Sequence, residues 1–351
     1  MKKIIAGIQQ IGIGVENVKE SFKWYRQNFG MDIPVFEEAA EANLMLPYTG
    51  GKPQKRHAIL AINMKGGAGF EIWQYTSRIP QPATFNIQLG DLGIFSAKIK
   101  TTDVKLSYEQ FKKRKLNLLS PISLTPENKE HFFIKDPFEN IFEITEGKDW
   151  FGKGKMPTGG PNGCILGVSD IEKSKKFYAD ILDYKEVIYD KEGTFSDFQE
   201  LPGGKHSFRR VLLSSTNQKG SFSKLLGSST IELIKVLDRE PRKITENRYW
   251  GDLGFIHLCF DVNGMEEIQK QCELAGHPFT VDSANSFDMG EAAGRFSYIE
   301  DPDATLIEFV ETHKIPILKK IGWYLNLQGR NPEKPLPDWM LKAMTLNRVK
   351  D

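Results

Sequence analysis

The sequence predicts an α+β fold made of four similar modules, each with a strand, a helix and two or three further strands. One observation is a repeat, because residues 90–95 (GDLGIF) return as residues 251–256 (GDLGFI). A second is that Asp136-Pro137 returns as Asp301-Pro302, each pair followed by a Glu between apolar residues. A third is that strand-like alternation and helical spacing follow one another in the same order four times. The second half of the chain is therefore predicted to fold like the first.

The first two modules contain the clearest periodic segments. For the first module we expect, in order, a strand at 8–15, a helix at 18–29 and strands at 58–63 and 69–75. For the second module we expect a strand at 94–99, a helix at 106–113 and strands at 131–134 and 141–145. Gly30 follows the first helix, where a glycine commonly ends one.

The third and fourth modules repeat this order. For the third we expect a strand at 164–168, a helix ending near 182 and strands at 209–213 and 230–236. Asp170 is placed to cap that helix. For the fourth we expect a strand at 255–262, a helix at 265–275 and strands at 296–299 and 306–310. The segment 286–294 before the last two strands is either a surface loop or a loop that closes over a substrate.

The chain length and a Gly- and Pro-rich segment predict how the chain divides into domains. At 351 residues the chain exceeds the usual size of a single core. Residues 147–162 are rich in Gly and Pro and are predicted to link two halves, 1–150 and 151–313. Residues 314–351 form a C-terminal extension, with a capped short helix predicted from about 336 to 349. We expect this extension to cover a sheet edge or a partner surface.

Composition narrows the function classes. Forty-seven basic and 46 acidic residues give a formal net charge of +1 without a basic stripe, so neither nucleic acid nor a membrane is an expected partner. No apolar run is long enough to span a membrane. The three cysteines suit free thiols in a reducing compartment, so we expect a cytoplasmic protein.

Four motifs together resemble a known superfamily. Residues 10–15 (QIGIGV) and 21–25 (SFKWY) match its opening strand and helix, while 257–262 (HLCFDV) and 301–309 (DPDATLIEF) match its first and closing strands. This pattern resembles the vicinal oxygen chelate superfamily, which includes glyoxalase I, antibiotic-binding resistance proteins and extradiol dioxygenases. The resemblance implies βαβββ modules that pair to enclose a site. Four modules would then form two U-shaped, eight-stranded mixed sheets with helices outside.

The family takes its metal ligands from the first and last strands of each module. Carried over, the resemblance gives one donor per strand, in chain order Gln10, Glu71, Ser96, Glu143, Gly163, Glu232, His257 and Glu308. If adjacent modules paired, neither site would be whole. Four-module glyoxalases pair the first module with the fourth, which would gather Gln10, Glu71, His257 and Glu308 in one cup. The other cup would hold Ser96, Glu143, Gly163 and Glu232 and is expected to be a scaffold or a regulatory pocket.

The first cup carries the ligand set of one glyoxalase I class. Two carboxylates, an imidazole and an amide oxygen suit a divalent cation such as Zn, Ni, Co, Mn or Fe. The resemblance implies that this cation stabilises an enediolate while a carboxylate moves a proton between neighbouring carbons. We expect Glu308 to be that base, with Glu71 as a second catalytic shuttle or as a ligand alone.

Two departures from the family pattern limit the substrate and the chemistry. A non-haem Fe(II) dioxygenase needs two His and one carboxylate, and His257 alone occupies a ligand position. Glutathione-using glyoxalases carry Arg, Asn and Arg where this chain has Gly14, Tyr75 and Leu253. Lactoylglutathione is therefore not the expected substrate.

The leading hypothesis is a metal-dependent, glyoxalase-like lyase or isomerase that acts on a small molecule with vicinal oxygens. The alternative is a resistance-type protein of the same fold that binds a small molecule without chemistry. An epimerase acting next to a carbonyl would share the same site and proton transfer. Four modules on one chain are compatible with a monomer or a homodimer.

Overall fold

The computed structural model describes residues 2–216, 219–284, 287–288, 293–318 and 322–350. Module 1 comprises β1 (Ile4–Gly14), α1 (Val18–Phe29), β2 (Ile33–Glu41), β3 (Lys55–Ile62) and β4 (Gly69–Tyr75). Module 2 comprises β5 (Gly93–Thr101), α2 (Val104–Lys113), β6 (Asn117–Leu118), β7 (Ser123–Leu124), β8 (Glu130–Lys135) and β9 (Ile141–Glu146). Short 3₁₀ turns lie at Leu46–Tyr48, Ser196–Phe198 and Met344–Asn347.

The second half repeats this order. Module 3 comprises β10 (Thr158–Gly167), α3 (Ile171–Leu182), β11 (Glu186–Gly193), β12 (Phe208–Ser215), α4 (Ser223–Leu226) and β13 (Ser229–Val236). Module 4 comprises β14 (Gly254–Asn263), α5 (Met265–Leu274), β15 (Val281–Asp282), β16 (Phe287–Asp288), β17 (Ala293–Glu300) and β18 (Leu306–Leu318). The extension adds β19 (Trp323–Asn326) and α6 (Asp338–Ala343).

The modules pair across the chain rather than along it. One mixed sheet has the order β15-β17-β18-β14-β1-β4-β3-β2, with β16 and β19 attached to its path. The other has the order β11-β12-β13-β10-β5-β9-β8-β6, with β7 attached. Module 1 therefore shares a sheet with module 4, and module 2 shares one with module 3. This confirms the predicted α+β class, with an eight-stranded path in each of two curled sheets.

One core joins the two sheets and their helices. Apolar residues of the central strands pack with those of α1, α2, α3 and α5 in a single buried cluster. Two buried tyrosines tie helices into turns of the other sheet, since Tyr25 donates to Asp136 at 2.7 Å and Tyr178 donates to Asp301 at 2.9 Å. The two Asp-Pro turns seen as a sequence repeat therefore anchor the two halves of the core. The inner face of each sheet carries a separate cluster.

Most predicted elements are present, and the differences have local causes. The α1 helix has the predicted bounds, with Asn17 accepting at its start and Gly30 in the left-handed region at its end. Asp170 caps α3 as predicted, accepting from the Lys173 amide at 3.1 Å. The expected link between the halves is shorter than 147–162, because β10 begins at Thr158. The half boundaries at 150 and 313 remain predictions, since each sheet takes one module from each half.

The C-terminal extension packs on the sheet of modules 1 and 4. The α6 helix begins at Asp338 after Pro337, without the predicted side-chain cap. Leu336 and Leu341 are fully buried, and the Val349 amide donates to the Asp32 carbonyl at 2.9 Å. The extension therefore belongs to the fold and closes one side of this sheet. No helix in the described part of the chain is long and apolar enough to cross a membrane.

Candidate metal centre

Four neighbouring strands carry the four predicted ligands of the first cup. Gln10 lies on β1, Glu71 on β4, His257 on β14 and Glu308 on β18, and these strands are adjacent in the sheet. Strand alternation points the apolar neighbours of each residue toward the helices and the polar residue toward the inside of the curl. All four residues are buried, with exposures between 0% and 8%. The pairing of modules thus brings together residues that are up to 298 positions apart.

The polar atoms of these side chains face one point. His257 Nε2 lies 3.0 Å from Glu308 Oε2 and 3.4 Å from Glu71 Oε2. Gln10 Nε2 donates to Glu308 Oε2 at 3.3 Å and to Glu71 Oε2 at 3.4 Å. One potential ligand atom from each of Glu71, His257 and Glu308 lies within 4.8 Å of the other two. Two buried carboxylates held this close repel one another unless a positive charge lies between them.

Several buried polar atoms at this point have no hydrogen-bond partner among the described residues. They are Gln10 Oε1 and both ring nitrogens of His257, because the short contact to Glu308 lacks hydrogen-bond geometry. A rotation of the Gln10 amide would exchange its oxygen and nitrogen and turn Oε1, an acceptor, toward the point where a cation would lie between the carboxylates. Unpaired buried acceptors are costly and generally have a partner of some kind. The donor set therefore fits a divalent cation with mixed N and O ligands.

A glycine makes room for the imidazole. An added Cβ at Gly12 would lie 2.5 Å from His257 Cε1 and 2.9 Å from its Nε2. Gly12 is on β1, opposite Glu71 on β4. Any side chain at this position would displace the ring from the two carboxylates. The sequence showed Gly12 on the same strand face as Gln10, but its contact with His257 depends on the pairing of modules 1 and 4.

The local charges act on the neighbouring titrating groups. Burial lowers the pKa of His257, but Glu308 and Glu71 raise it more, to about 9. Burial and the charge of Glu308 raise the pKa of Tyr298 well above its usual range, so its hydroxyl stays protonated. The same two causes raise the pKa of the Cys259 thiol. The site therefore favours a positive charge at the carboxylates and neutral groups around them.

Two aromatic residues that the sequence analysis did not select form the wall beside these ligands. The Trp250 ring lies parallel to the His257 ring, with centroids 6.5 Å apart and an interplanar angle of 13°. Tyr298 meets the His257 ring edge-on at 5.6 Å and lies opposite Glu308 across β17 and β18. Tyr298 could have been found from its position on the strand that pairs with β18, opposite the candidate ligand Glu308. Trp250 precedes the second Gly-Asp-Leu-Gly turn and gave no such signal.

A cavity of about 420 Å³ opens beside this centre. Its wall includes Gln10, Glu71 and Glu308, together with Trp250 and Tyr298. Ser283, which precedes the segment 286–294 that was predicted to be a surface loop or a closing loop, and Gly294, the last residue of that segment, also line it. Residues 285–286 and 289–292 of that region lie outside the described residues. The cavity gives the candidate ligands access to a small molecule.

The second cup contains an internal ammonium group. Lys98 Nζ donates to Glu143 Oε2 and, at 2.7 Å, to Glu232 Oε2. All three side chains are at most 6% exposed. Burial lowers the pKa of Lys98, but the two carboxylates raise it by more than burial lowers it, so the net pKa is above its usual value and Lys98 remains charged. Lys98 thus supplies the cation that a buried pair of glutamates requires.

Further charged groups complete this network. His131 Nδ1 lies 2.7 Å from Glu143 Oε1, while Arg210 Nε donates to Glu232 Oε1 at 2.8 Å. Arg210 also donates to both oxygens of Asp197 at 2.8 and 2.9 Å. Burial lowers the pKa of His131, but Asp197 and Glu143 raise it to about 9. His131 does not occupy a ligand position of the family pattern, yet it contacts a carboxylate of this cup.

The other two predicted members of the second cup are not brought into the network. The Ser96 hydroxyl donates to the Ala97 carbonyl at 3.3 Å. At Gly163, an added Cβ would lie 2.0 Å from the Thr230 carbonyl oxygen, so the strands approach closely there. Lys98 on β5 pairs with Glu143 on β9, and Gly12 on β1 pairs in the same way with Glu71 on β4. Lys98 and Gly12 therefore occupy equivalent positions in the two cups. The two cups therefore differ most directly at this pair of equivalent positions.

The three residues that replace glutathione-binding positions lie at the ends of first-cup strands, since Gly14 ends β1, Tyr75 ends β4 and Leu253 precedes β14. The Tyr75 hydroxyl donates to the Trp250 carbonyl. At Gly14, an added Cβ would lie 1.9 Å from the Asp252 carbonyl oxygen. The Leu253 carbonyl accepts from Arg248. Tyr75 and Gly14 hold the turn that carries Trp250 against the site.

The sequence matches a protein-family model, and the fold matches that of solved structures. The family model described as the Glyoxalase/Bleomycin resistance protein/Dioxygenase superfamily matches residues 7–144 and 160–309. Glyoxalase I from Zea mays is similar in structure, with a TM-score of 0.54 and 14% identity over 88% of this chain and 92% of that chain. A putative dioxygenase from Bacillus subtilis subsp. subtilis str. 168 gives a TM-score of 0.56 and 14% identity over 88% and 86%. No curated protein matches the sequence significantly. At this identity the similar structures support the fold alone.

Proposed function

Because the chain belongs to the Glyoxalase/Bleomycin resistance protein/Dioxygenase superfamily, we propose that its first cup is the active site of a divalent-metal-dependent, glyoxalase-like lyase or isomerase. The observation that carries this proposal is the convergence of Glu71, His257 and Glu308 within 4.8 Å beside a cavity. The proposed substrate is a small molecule with two neighbouring oxygens and an acidic C–H bond.

Four side chains would hold the cation. Glu71 and Glu308 would neutralise its charge, while His257 Nε2 and Gln10 Oε1 would complete the protein ligands. The bound cation would lower the energy of the negative charge that develops on two neighbouring substrate oxygens when a proton leaves carbon. Gly12 and Trp250 support this arrangement, because one leaves space for the imidazole and the other lies parallel to its face.

Glu308 is the proposed base. Glu308 lies on the cavity wall. Its Oε2 atom is 3.0 Å from His257 Nε2, whereas the Oε2 atom of Glu71 is 3.4 Å from it. Tyr298 lies opposite it and stays protonated, so its hydroxyl can donate to a carboxylate or to a developing oxyanion. In the proposed reaction Glu308 takes a proton from one carbon and returns it to the neighbouring carbon. Glu71 is the alternative acceptor on the other side of the imidazole.

Metal content is the first test of this proposal. The protein is purified without chelator, loaded separately with Zn²⁺, Ni²⁺, Co²⁺, Mn²⁺ or Fe²⁺, freed of excess ion, and assayed by elemental analysis. We expect about one ion per chain for the wild type and none for His257→Ala. The control is His206→Ala, which removes a partly exposed histidine paired with Asp238. No bound ion in the wild type, or equal binding in His257→Ala, would reject the metal site.

Proton exchange tests the chemistry. Candidate 2-oxoaldehyde thiol adducts and 2-substituted carbonyl compounds are incubated in D₂O with metal-loaded protein, and deuterium at carbon is measured. We expect exchange with the wild type and at least a ~100-fold loss with Glu308→Gln, given the usual contribution of a general base. Exchange that is equally fast in Glu308→Gln would assign the base to another residue.

The cavity also supports a second candidate, a binding protein that performs no chemistry. Its wall is largely apolar and its volume is about 420 Å³, which suits capture of a small ligand. A protein that binds planar or apolar ligands equally well with and without a cation, and that catalyses no exchange, would favour this alternative.

A further inference from the structure

We infer that the substrate has two parts, and this inference rests on the proposed function. One end carries the two neighbouring oxygens that face the metal ligands, and the remainder is an uncharged apolar group. The apolar group would contact a wall to which the C-terminal extension contributes. Met344 is the residue of the extension that would select for it.

The apolar wall comes from four separate elements, which are β3, the α4 segment, β18 and the last 3₁₀ turn. Its members are buried, belong to one hydrophobic cluster and also line the cavity; they are Ile62, Phe222, Leu225, Leu226, Ile315 and Met344. None of them is more than 9% exposed. Glu71 and Glu308 line the same cavity. A bound molecule can therefore touch the carboxylates and this wall at the same time.

The extension is held firmly enough to shape the cavity. Leu336 and Leu341 are fully buried in the same cluster as Met344, which is 4% exposed. Lys224 Nζ donates to Asp338 at 2.7 Å and joins the start of α6 to α4. Methionine is unbranched and flexible, so it can adapt to apolar groups of different shape. Met344 thus lies on a fixed segment but presents an adaptable side chain.

The charges around the cavity argue against an anionic tail. Arg56 is the one basic residue among the described lining residues, and its Nη2 donates to Glu38 at 2.9 Å. Glu38 and Glu41 both line the cavity. A phosphate or carboxylate on the substrate would therefore approach acidic side chains. An uncharged apolar group is compatible with both the wall and these charges.

Two hydroxamates test the inference, because each offers two neighbouring oxygens to a metal and they differ only in chain length. Acetohydroxamate and octanohydroxamate are titrated calorimetrically into zinc-loaded protein and into metal-free protein. Each buried methylene is worth about fourfold in affinity. We expect octanohydroxamate to bind at least ~100-fold more tightly than acetohydroxamate to the zinc-loaded protein, allowing for the cost of ordering the chain.

Substitutions at Met344 locate the selectivity. Met344→Gln is close in size but places an amide in the apolar wall, at a cost that predicts a loss of ~10-fold or more in octanohydroxamate affinity. Acetohydroxamate affinity should not change. Met344→Leu should retain the preference for the longer chain. Leu346→Ala is the matched control, because Leu346 lies in the same 3₁₀ turn but is 58% exposed.

The outcomes separate this inference from the proposed function. Equal affinities of the two hydroxamates, both dependent on zinc, would overturn the apolar tail and leave the metal site intact. Tight octanohydroxamate binding that is unchanged without zinc would overturn the metal site, and the two-part substrate with it. A Met344→Gln variant that keeps the full preference would remove Met344 from the selective wall.

Discussion

The charge network of the second cup gives a quantitative prediction. Lys98→Met removes the ammonium group that contacts Glu143 and Glu232 but largely keeps the volume of the side chain. Both carboxylates are 1% exposed and would lose a buried counter-charge. Removing one partner of a buried ion pair costs about 3–5 kcal/mol. We therefore expect the free energy of unfolding at pH 7 to fall by about this amount.

The pH dependence follows from the carboxylates. Burial raises the pKa of Glu232 and Glu143, but their cationic partners lower both below the usual value. Their stabilising contribution is thus present above the unfolded pKa near ~4.3 and is lost as pH falls through the lower folded values. In Lys98→Met the carboxylates can become neutral by binding protons. The destabilisation should therefore be largest near pH 7 and smaller near pH 4.

Urea unfolding followed by tryptophan fluorescence measures this difference. Lys105→Ala is the control, because Lys105 forms an ion pair with Glu130 at 3.1 Å with its side chain 72% exposed. Such a surface pair contributes at most ~1 kcal/mol. A cost below ~1 kcal/mol for Lys98→Met, or a cost that does not change between pH 7 and pH 4, would refute the internal-cation interpretation.

Three further predictions concern the first cup and its strands. Gly12→Ala should displace the His257 ring and abolish metal binding in elemental analysis, and a retained ion would contradict the geometric argument. Cys259 should react with a thiol reagent only after unfolding, because it is fully buried with a raised pKa; rapid labelling of the native protein would disprove this. Burial raises the pKa of Asp261 to about 8, although the hydrogen bond from the Gln9 amide lowers it in part. The folded protein therefore binds this proton more tightly than the unfolded chain, and ionisation of Asp261 opposes folding as pH rises from about 4 to 8. Asp261→Asn should therefore gain stability over the wild type across that range, by at most ~1.4 kcal/mol per pH unit in thermal or urea unfolding, and a constant difference would contradict the linkage.

Alternation of apolar and polar residues predicted the ligand strands and their two faces, and the family resemblance selected the ligand positions on them. Phe70 and Ile72 flank Glu71, and the structure buries both in the core that the helices share. The strands β2 and β11 were missed, since the sequences of these two segments carry charged residues that interrupt an apolar pattern. Both lie at sheet edges, where one neighbour is missing and solvent-facing charges are common.

The contacts that complete the site arise from long-range pairing and were harder to foresee. Met344 lines the same cavity as Gln10, although 334 positions separate them in the numbering. Its role depends on where the extension packs, which no local periodicity specifies. Lys98 was overlooked for a different reason, since the family pattern directs attention to Ser96, two residues earlier on the same strand face. In the structure Lys98, and not Ser96, contacts the two buried glutamates of the second cup.

The two cups offer alternative solutions to one electrostatic problem. Each places two buried glutamates close together on central strands, and each needs a positive charge nearby to offset the repulsion between the carboxylates. In the second cup Lys98 is part of the chain, so its charge is available whenever the protein is folded. In the first cup the equivalent position is Gly12, and its missing side chain leaves room for His257. A cation held there would add its binding free energy to folding. Glu71 and Glu308 of the first cup line a cavity, so under the proposed function a cation held there would also face the substrate.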